Sequence, residues 1–206
     1  MIEAKHSWFY HLFFKTYFRY ILRKDFKAIH IEGKFPERDM PILLIGNHFS
    51  WWDGFFAYEL NRRIFKRRIY LMMLEEQLKK RSFFSKLGAF SINPGNRSAL
   101  QSMNYASELL RHSSNLLILF PQGEIESQYN QKIYFRKGWF RILENAGNPV
   151  HIVFMANLTD YFSNRKPTLF IYLEEYPETG KIVFDNLNNS YNDFYNRCVE
   201  RQKQLA

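Results

Sequence analysis

Residues 41–53, PILLIGNHFSWWD, are the stretch on which the reading of the fold turns. The run 40–46 is apolar and short, so it reads as a strand buried on both faces. Residues 47–53 break that run with Asn47, His48 and Ser50, and residues 53–62 then have the composition of a helix. A buried strand that turns directly into a helix is the first half of a parallel βα unit.

The same alternation continues outward. Residues 68–74 (RIYLMML) read as a second strand, followed by a basic helix over 75–87 and a short strand over 89–92. Asn96 is a plausible N-cap for a helix over 98–112. Residues 115–120 (NLLILF) form a third clear strand, closed by Pro121 and Gly123. A helix over 136–145 stops at Gly147; strands follow at 150–156 and 168–173, and a polar helix runs from about Asn189. The expected fold class is α/β: a single domain with a largely parallel sheet flanked by helices. In such sheets the chemistry sits in loops at the carboxyl ends of the strands.

Upstream, residues 6–24 (HSWFYHLFFKTYFRYILRK) read as a helix. His11, Lys15, Arg19 and Arg23 recur at i,i+4 spacing as one basic stripe, and aromatic and aliphatic residues cover most of the remainder. A narrow cationic face on an aromatic helix suits the boundary between lipid headgroups and acyl chains. Trp8, Phe13, Lys15, Arg19 and Arg23 are the candidate membrane-binding residues. Residues 1–28 are therefore set apart as an amphipathic helical segment and residues 29–206 as one domain.

Composition narrows the partners. The chain has 206 residues, 29 Lys+Arg against 20 Asp+Glu, and a net charge of +9, which favours an anionic partner. None of the usual nucleic-acid-binding motifs is present, so no nucleic acid is expected. The single cysteine, Cys198, allows no internal disulfide and no cysteine-based zinc site, and points to a reducing compartment. No second histidine lies at ligand spacing near His48, so no metal is expected. No apolar run approaches the roughly 20 residues of a spanning helix. His11, Lys15 and Arg19 interrupt any signal-peptide core. The expected location is peripheral, on the cytoplasmic side of a membrane.

Two loops carry the chemistry. His48 follows a strand and Asp53 opens the next helix, so a tight turn can fold the carboxylate back onto the imidazole. The carboxylate would fix the tautomer and raise the basicity of the free ring nitrogen. There is no G-x-S-x-G elbow, so such a base would activate a substrate hydroxyl or amine for direct attack. The second loop is Phe120-Pro121-Gln122-Gly123-Glu124-Ile125. Its glycine permits a tight turn whose N–H groups could hold an anionic oxygen, and Glu124 could bind a hydroxyl or amine.

In this order and spacing the two loops resemble the glycerolipid acyltransferase family of PlsC-like, lysophosphatidic-acid acyltransferase type. Asn47, His48, Ser50 and Asp53 match its N-H-x-[ST]-x-x-D motif. Residues 120–127 (FPQGEIES) stand where the family has F-P-E-G-[ST]-R-S, and Phe135 and Gly138 match a downstream F-x-x-G. Residues 88–94 (GAFSINP) partly match the second motif, and residues 150–156 the fourth, with Phe154 at the proline position. The resemblance implies a glycerol-3-phosphate acyltransferase-like α/β fold and no cofactor. The co-substrate would be acyl-CoA or acyl carrier protein, and the acyl group would pass to a lipid hydroxyl. It implies that His48 deprotonates the acceptor and that Asp53 orients His48. Asn47, Ser50, Phe120, Pro121, Gln122, Gly123 and Glu124 would form the substrate site. Where the family carries a glutamate and two phosphate-gripping arginines, this chain has Gln122, Pro94 and Ile125. Arg97 and Lys137 are the candidate replacements. The expected acceptor is accordingly a lyso-aminolipid, glycolipid or other hydroxylated lipid rather than lysophosphatidic acid.

Overall fold

The structure is a computed structural model and describes residues 1–33, 36, 38–177 and 182–205. Helix α1 (Trp8–Asp25) precedes strand β1 (Ala28–Glu32) and strand β2 (Ile42–Gly46). Helix α2 (Asp53–Leu60) continues into a π-helical turn (Asn61–Phe65) and strand β3 (Arg68–Leu74). Helix α3 (Glu75–Lys80), a 3-10 turn (Ser82–Leu87), β4 (Ala89–Ile92), α4 (Ser98–Leu109) and β5 (Asn115–Leu119) come next. A 3-10 turn (Lys137–Phe140) leads into α5 (Arg141–Ala146), then β6 (His151–Asp160), β7 (Thr168–Glu175) and α6 (Phe184–Lys203).

The seven strands form one sheet in the order β1-β7-β6-β2-β5-β3-β4. All pairs are parallel except β6 with β7. Strand β2, buried at every position, lies between β5 and β6. Leu43 and Ile45 face a core built with α4, α5 and α6. Ile42 and Leu44 face a second core built with α1 and α2. Burial on both faces is why the central strands carry unbroken apolar runs instead of alternating ones.

Differences from the sequence expectation have local causes. The sequence pattern gives no strand at β1, because His30 and Glu32 interrupt its apolar residues; it forms by parallel pairing with β7. The helix expected over 75–87 breaks at Arg81. The 3-10 turn beyond it stacks Phe83 on Phe14, ring centroids 4.9 Å apart, while the Arg81 guanidinium lies 4.4 Å from the Trp51 ring centroid. Tertiary ring packing here outweighs helix propensity. The stretch 136–145 likewise divides into a 3-10 turn and α5, and α6 begins at Phe184 rather than near Asn189. Strand β6 extends past Ala156 to Asp160, because β7 supplies an antiparallel partner along that length. The N-cap of α4 is Arg97 rather than Asn96, which stands one residue earlier, its Oδ1 accepting the N–H of Ser98 at 3.0 Å.

Helix α1 is divided between core and surface. Phe18 and Leu22 are buried, and Phe18 meets Phe55 and Tyr58 edge-on, at centroid distances of 4.7 and 5.1 Å. His11, the first residue of the basic stripe, turns inward, its Nδ1 3.2 Å from the Tyr58 hydroxyl. Trp8, Phe9, Leu12, Phe13, Tyr17 and Tyr20 are exposed, as are Lys15, Arg19 and Arg23. No helix among the described residues is long and apolar enough to cross a membrane. Phe18→Ala should lower stability by about 3 kcal/mol. Limited proteolysis should then cut first within α1, if Phe18 is what holds that helix to the domain.

Candidate active site

The site is built where β2 and β5 end side by side. Beyond β2, the Asn47 side chain is buried and bonded at both ends to the backbone of Asn157 on β6. Its Nδ2 donates to Asn157 O at 2.9 Å, and its Oδ1 accepts the Asn157 N–H at 2.8 Å. That clamp fixes the start of the loop carrying His48.

Asp53, the first residue of α2, is fully buried. Its Oδ2 accepts the N–H groups of Phe49 and Ser50 at 2.9 and 2.8 Å and stands 2.8 Å from His48 Nδ1. Ser50 closes the turn: its O accepts the Asp53 N–H and its Oγ the Trp52 N–H, both at 3.2 Å. Burial pushes the Asp53 carboxyl above its ordinary value, against the opposing pull of these donors. With Asp53 ionised, His48 Nδ1–H is the donor and Nε2 carries the lone pair. Nε2 has no hydrogen-bond partner among the described residues, and the imidazole is a quarter exposed.

The β5 loop is tied to His48 through backbone and ring. Gln122 Oε1 accepts the His48 N–H at 2.7 Å, and His48 O accepts the Glu126 N–H at 2.9 Å. Phe120 stacks on the imidazole, centroids 4.8 Å apart and planes 19° apart. Gly46 makes room for that ring: a Cβ there would meet Phe120 Cε1 at 3.1 Å and Met155 Cε at 2.6 Å. Gly123 has a φ of 76°, and its N–H is spent on Phe120 O at 3.1 Å. The N–H groups of Glu124 and Ile125 have no acceptor among the described residues, so they are the donors this turn can offer an anionic oxygen.

A base with an orienting carboxylate, a stacked ring and free backbone donors alongside can deprotonate a hydroxyl and stabilise an oxyanion. Residues 28–156 match the family model described as Acyltransferase. The chain belongs to that family. It is an acyltransferase, and His48, Asp53 and the β5 loop lie within the matched residues. Comparison with curated proteins gives no match.

Each residue singled out from sequence has a definite place in this acyltransferase. Phe120 and Gln122 meet His48, and Asp53 and Ser50 shape its turn; Pro121, Gly123 and Glu124 follow on the same β5 loop, with Glu124 exposed. Asn47 and Gln122 are buried and spend side-chain oxygens on backbone N–H groups, so both position the His48 loop. Arg97 is exposed beyond β4, the edge strand two places from β5. Lys137 turns to α6, its Nζ 3.8 Å from Asp185 and 5.4 Å from the Phe184 ring centroid. The cation at the β5 loop is instead Arg136, which donates to Glu124 at 2.9 Å and whose N–H binds Pro121 O. Arg136 lies inside the F-x-x-G stretch, between Phe135 and Lys137, and that is the one sequence signal that points to it. Cys198 is buried, and burial pushes its thiol up to about 12, so it stays neutral.

Asp53→Asn should separate activity from stability. Because the folded carboxyl titrates above its unfolded value, ionising it costs stability, and that cost appears as pH rises through the folded value. The amide escapes it, so thermal unfolding at neutral pH should show equal or greater stability. Turnover should nonetheless fall by about 10⁴-fold, the scale for losing a carboxylate that fixes a histidine tautomer. Parallel losses of stability and activity would reduce Asp53 to a structural role.

Proposed function

We propose that the chain is a membrane-surface O-acyltransferase that moves a fatty acyl group from acyl-CoA or acyl carrier protein to the hydroxyl of a lipid acceptor. The observation that carries this reading is the 2.8 Å contact of His48 Nδ1 with buried Asp53 at the strands' carboxyl edge, leaving Nε2 open. His48 Nε2 takes the acceptor's hydroxyl proton as its oxygen attacks the thioester carbonyl. The oxyanion so formed meets the free N–H groups of the β5 loop. When the tetrahedral intermediate collapses, the carbon–sulfur bond breaks and the imidazolium returns the proton to the departing thiolate. Asp53 holds the imidazole throughout and stabilises its cationic form.

The acceptor is read as a lyso-aminolipid, glycolipid or other hydroxylated lipid. Glu124 and exposed Ile125 occupy the turn, and Arg136, the cation beside it, is already paired with Glu124. A phosphate would therefore meet a guanidinium that is already neutralised, next to a carboxylate. Helix α1 supports the membrane reading, because its outward face combines aromatic rings with Lys15, Arg19 and Arg23.

Purified protein given labelled acyl-CoA or acyl carrier protein and a total lipid extract should form a labelled lipid that disappears with His48→Ala. Lysophosphatidic acid should be a poorer acceptor than lyso-aminolipids or glycolipids; if it is by far the best, the acceptor assignment is wrong. Phe9→Ser with Phe13→Ser should weaken partitioning onto vesicles of equal phosphatidylglycerol and phosphatidylcholine by at least about tenfold. Unchanged flotation would remove α1 from the membrane face.

A further inference from the structure

A second cluster of polar chemistry lies at the far end of α2, where the acyl-transfer mechanism makes no use of it. The eight residues of α2 span about 12 Å between Asp53 and the π-helical turn. There a cleft of about 500 Å³ opens between α1 and the connection from α2 to β3. Its walls include His11, Lys15, Arg62, Lys66, Arg67 and Arg68, with Trp8 at its rim.

The charge in this cleft is largely uncompensated. Glu59 takes Arg62 through two bonds of 2.7 Å. Among the described residues, Lys15, Lys66, Arg67 and Arg68 have no carboxylate partner. The Arg67 guanidinium is held by two carbonyls, those of Ser113 at 2.5 Å and Arg38 at 3.0 Å, which orient it without neutralising it. Burial, and after it Arg68, pushes the imidazole of His6, which also lines the cleft, down to about 4.

The backbone that delivers these cations is specific. The π-helical turn ends at Lys66, which takes a left-handed conformation with a φ of 53°. Its N–H binds Asn61 O at 2.7 Å. The Asn61 side chain then grips Arg67 at both backbone groups, donating to Arg67 O at 2.9 Å and accepting its N–H at 3.1 Å. A left-handed lysine after a π turn is uncommon, and such features gather at functional sites. Here they set three consecutive cations around one cleft. A solvated basic surface has no need of that scaffolding.

We propose that this cleft binds the phosphate headgroup of an anionic phospholipid, which serves as an anchoring lipid distinct from the acyl acceptor. Its volume is in the range of small-molecule sites. Trp8 and Lys15 belong both to the cleft and to α1, whose exposed Phe9, Leu12 and Phe13 continue from the same edge. A headgroup in the cleft would leave its acyl chains along that aromatic surface. The choice of a lipid over a soluble phosphate rests on the reading of α1 as the membrane face.

The test uses the full chain and dihexanoyl phosphatidylglycerol below its micellar concentration, measured by calorimetry. Wild-type protein should show one saturable site, with inorganic phosphate and coenzyme A binding more weakly. Lys66→Glu with Arg68→Glu, and separately Lys66→Gln with Arg68→Gln, should each lose at least tenfold in affinity while unfolding at the wild-type temperature. Arg141→Glu with Lys203→Glu makes the same charge change on α5 and α6, across the sheet, and should bind as wild type does. The proposal fails if no saturable site is found, if the cleft variants bind normally, or if the charge-matched control loses as much. It also fails if phosphate or coenzyme A binds as tightly as the lipid. Flotation of the Phe9→Ser/Phe13→Ser variant is read separately, so failure of the α1 reading and failure of the cleft are told apart.

Discussion

A carboxylate cut off from water must find N–H donors or surrender its charge. Asp53 Oδ2 finds the N–H groups of Phe49 and Ser50 and the imidazole of His48. One atom therefore shapes the turn after β2 and orients the candidate base. The other oxygen, Oδ1, is buried with no hydrogen-bond partner among the described residues, so burial still works against the charge. The surrounding contacts make that arrangement rigid. Asn47 locks the loop to β6, Gln122 and Glu126 lock the His48 backbone to the β5 loop, and Phe120 covers one face of the imidazole. The pair is thus formed before any substrate arrives, which spares the reaction the cost of assembling it.

Much of this was legible in the sequence because the informative signals are local. The runs 42–46 and 115–119 are almost wholly apolar, as strands covered on both faces are, and they became β2 and β5; the run 68–74, led by Arg68, became β3 beside β5, partly exposed towards its carboxyl end. The step from His48 to Asp53 crosses one turn, so its geometry followed from five residues. Strand β1 was not legible, since its apolar residues are interrupted and its pairing depends on β7, more than 130 residues away. The break at Arg81 was equally hidden, because rings from α1 and the β2–α2 turn impose it.

The β5 loop divides in the same way. Its turn could be read from Pro121 and Gly123, and its place beside His48 from the order of the motifs. The task of Gln122 could not be read, because it depends on two loops meeting at the ends of adjacent strands. Nor could the neighbour of Glu124 be chosen between Arg136 and Lys137: a single residue decides whether a side chain faces the loop or α6. Helix α1 showed its cations as one stripe, yet the domain turns His11 inward and leaves Lys15, Arg19 and Arg23 outside.

The π-helical turn after α2 has a consequence for how this scaffold can diversify. A π turn is an α-helix holding one residue more than its ladder needs. Removing a single residue between Asn61 and Phe65 would let the α ladder close and rotate the chain beyond Phe65 by about 100°. Lys66, Arg67 and Arg68 would leave their present positions, while Asp53, set by the amino end of the same helix, would stay where it is. A one-residue change in that turn would thus act on the basic rim, at the opposite end of α2 from the candidate base.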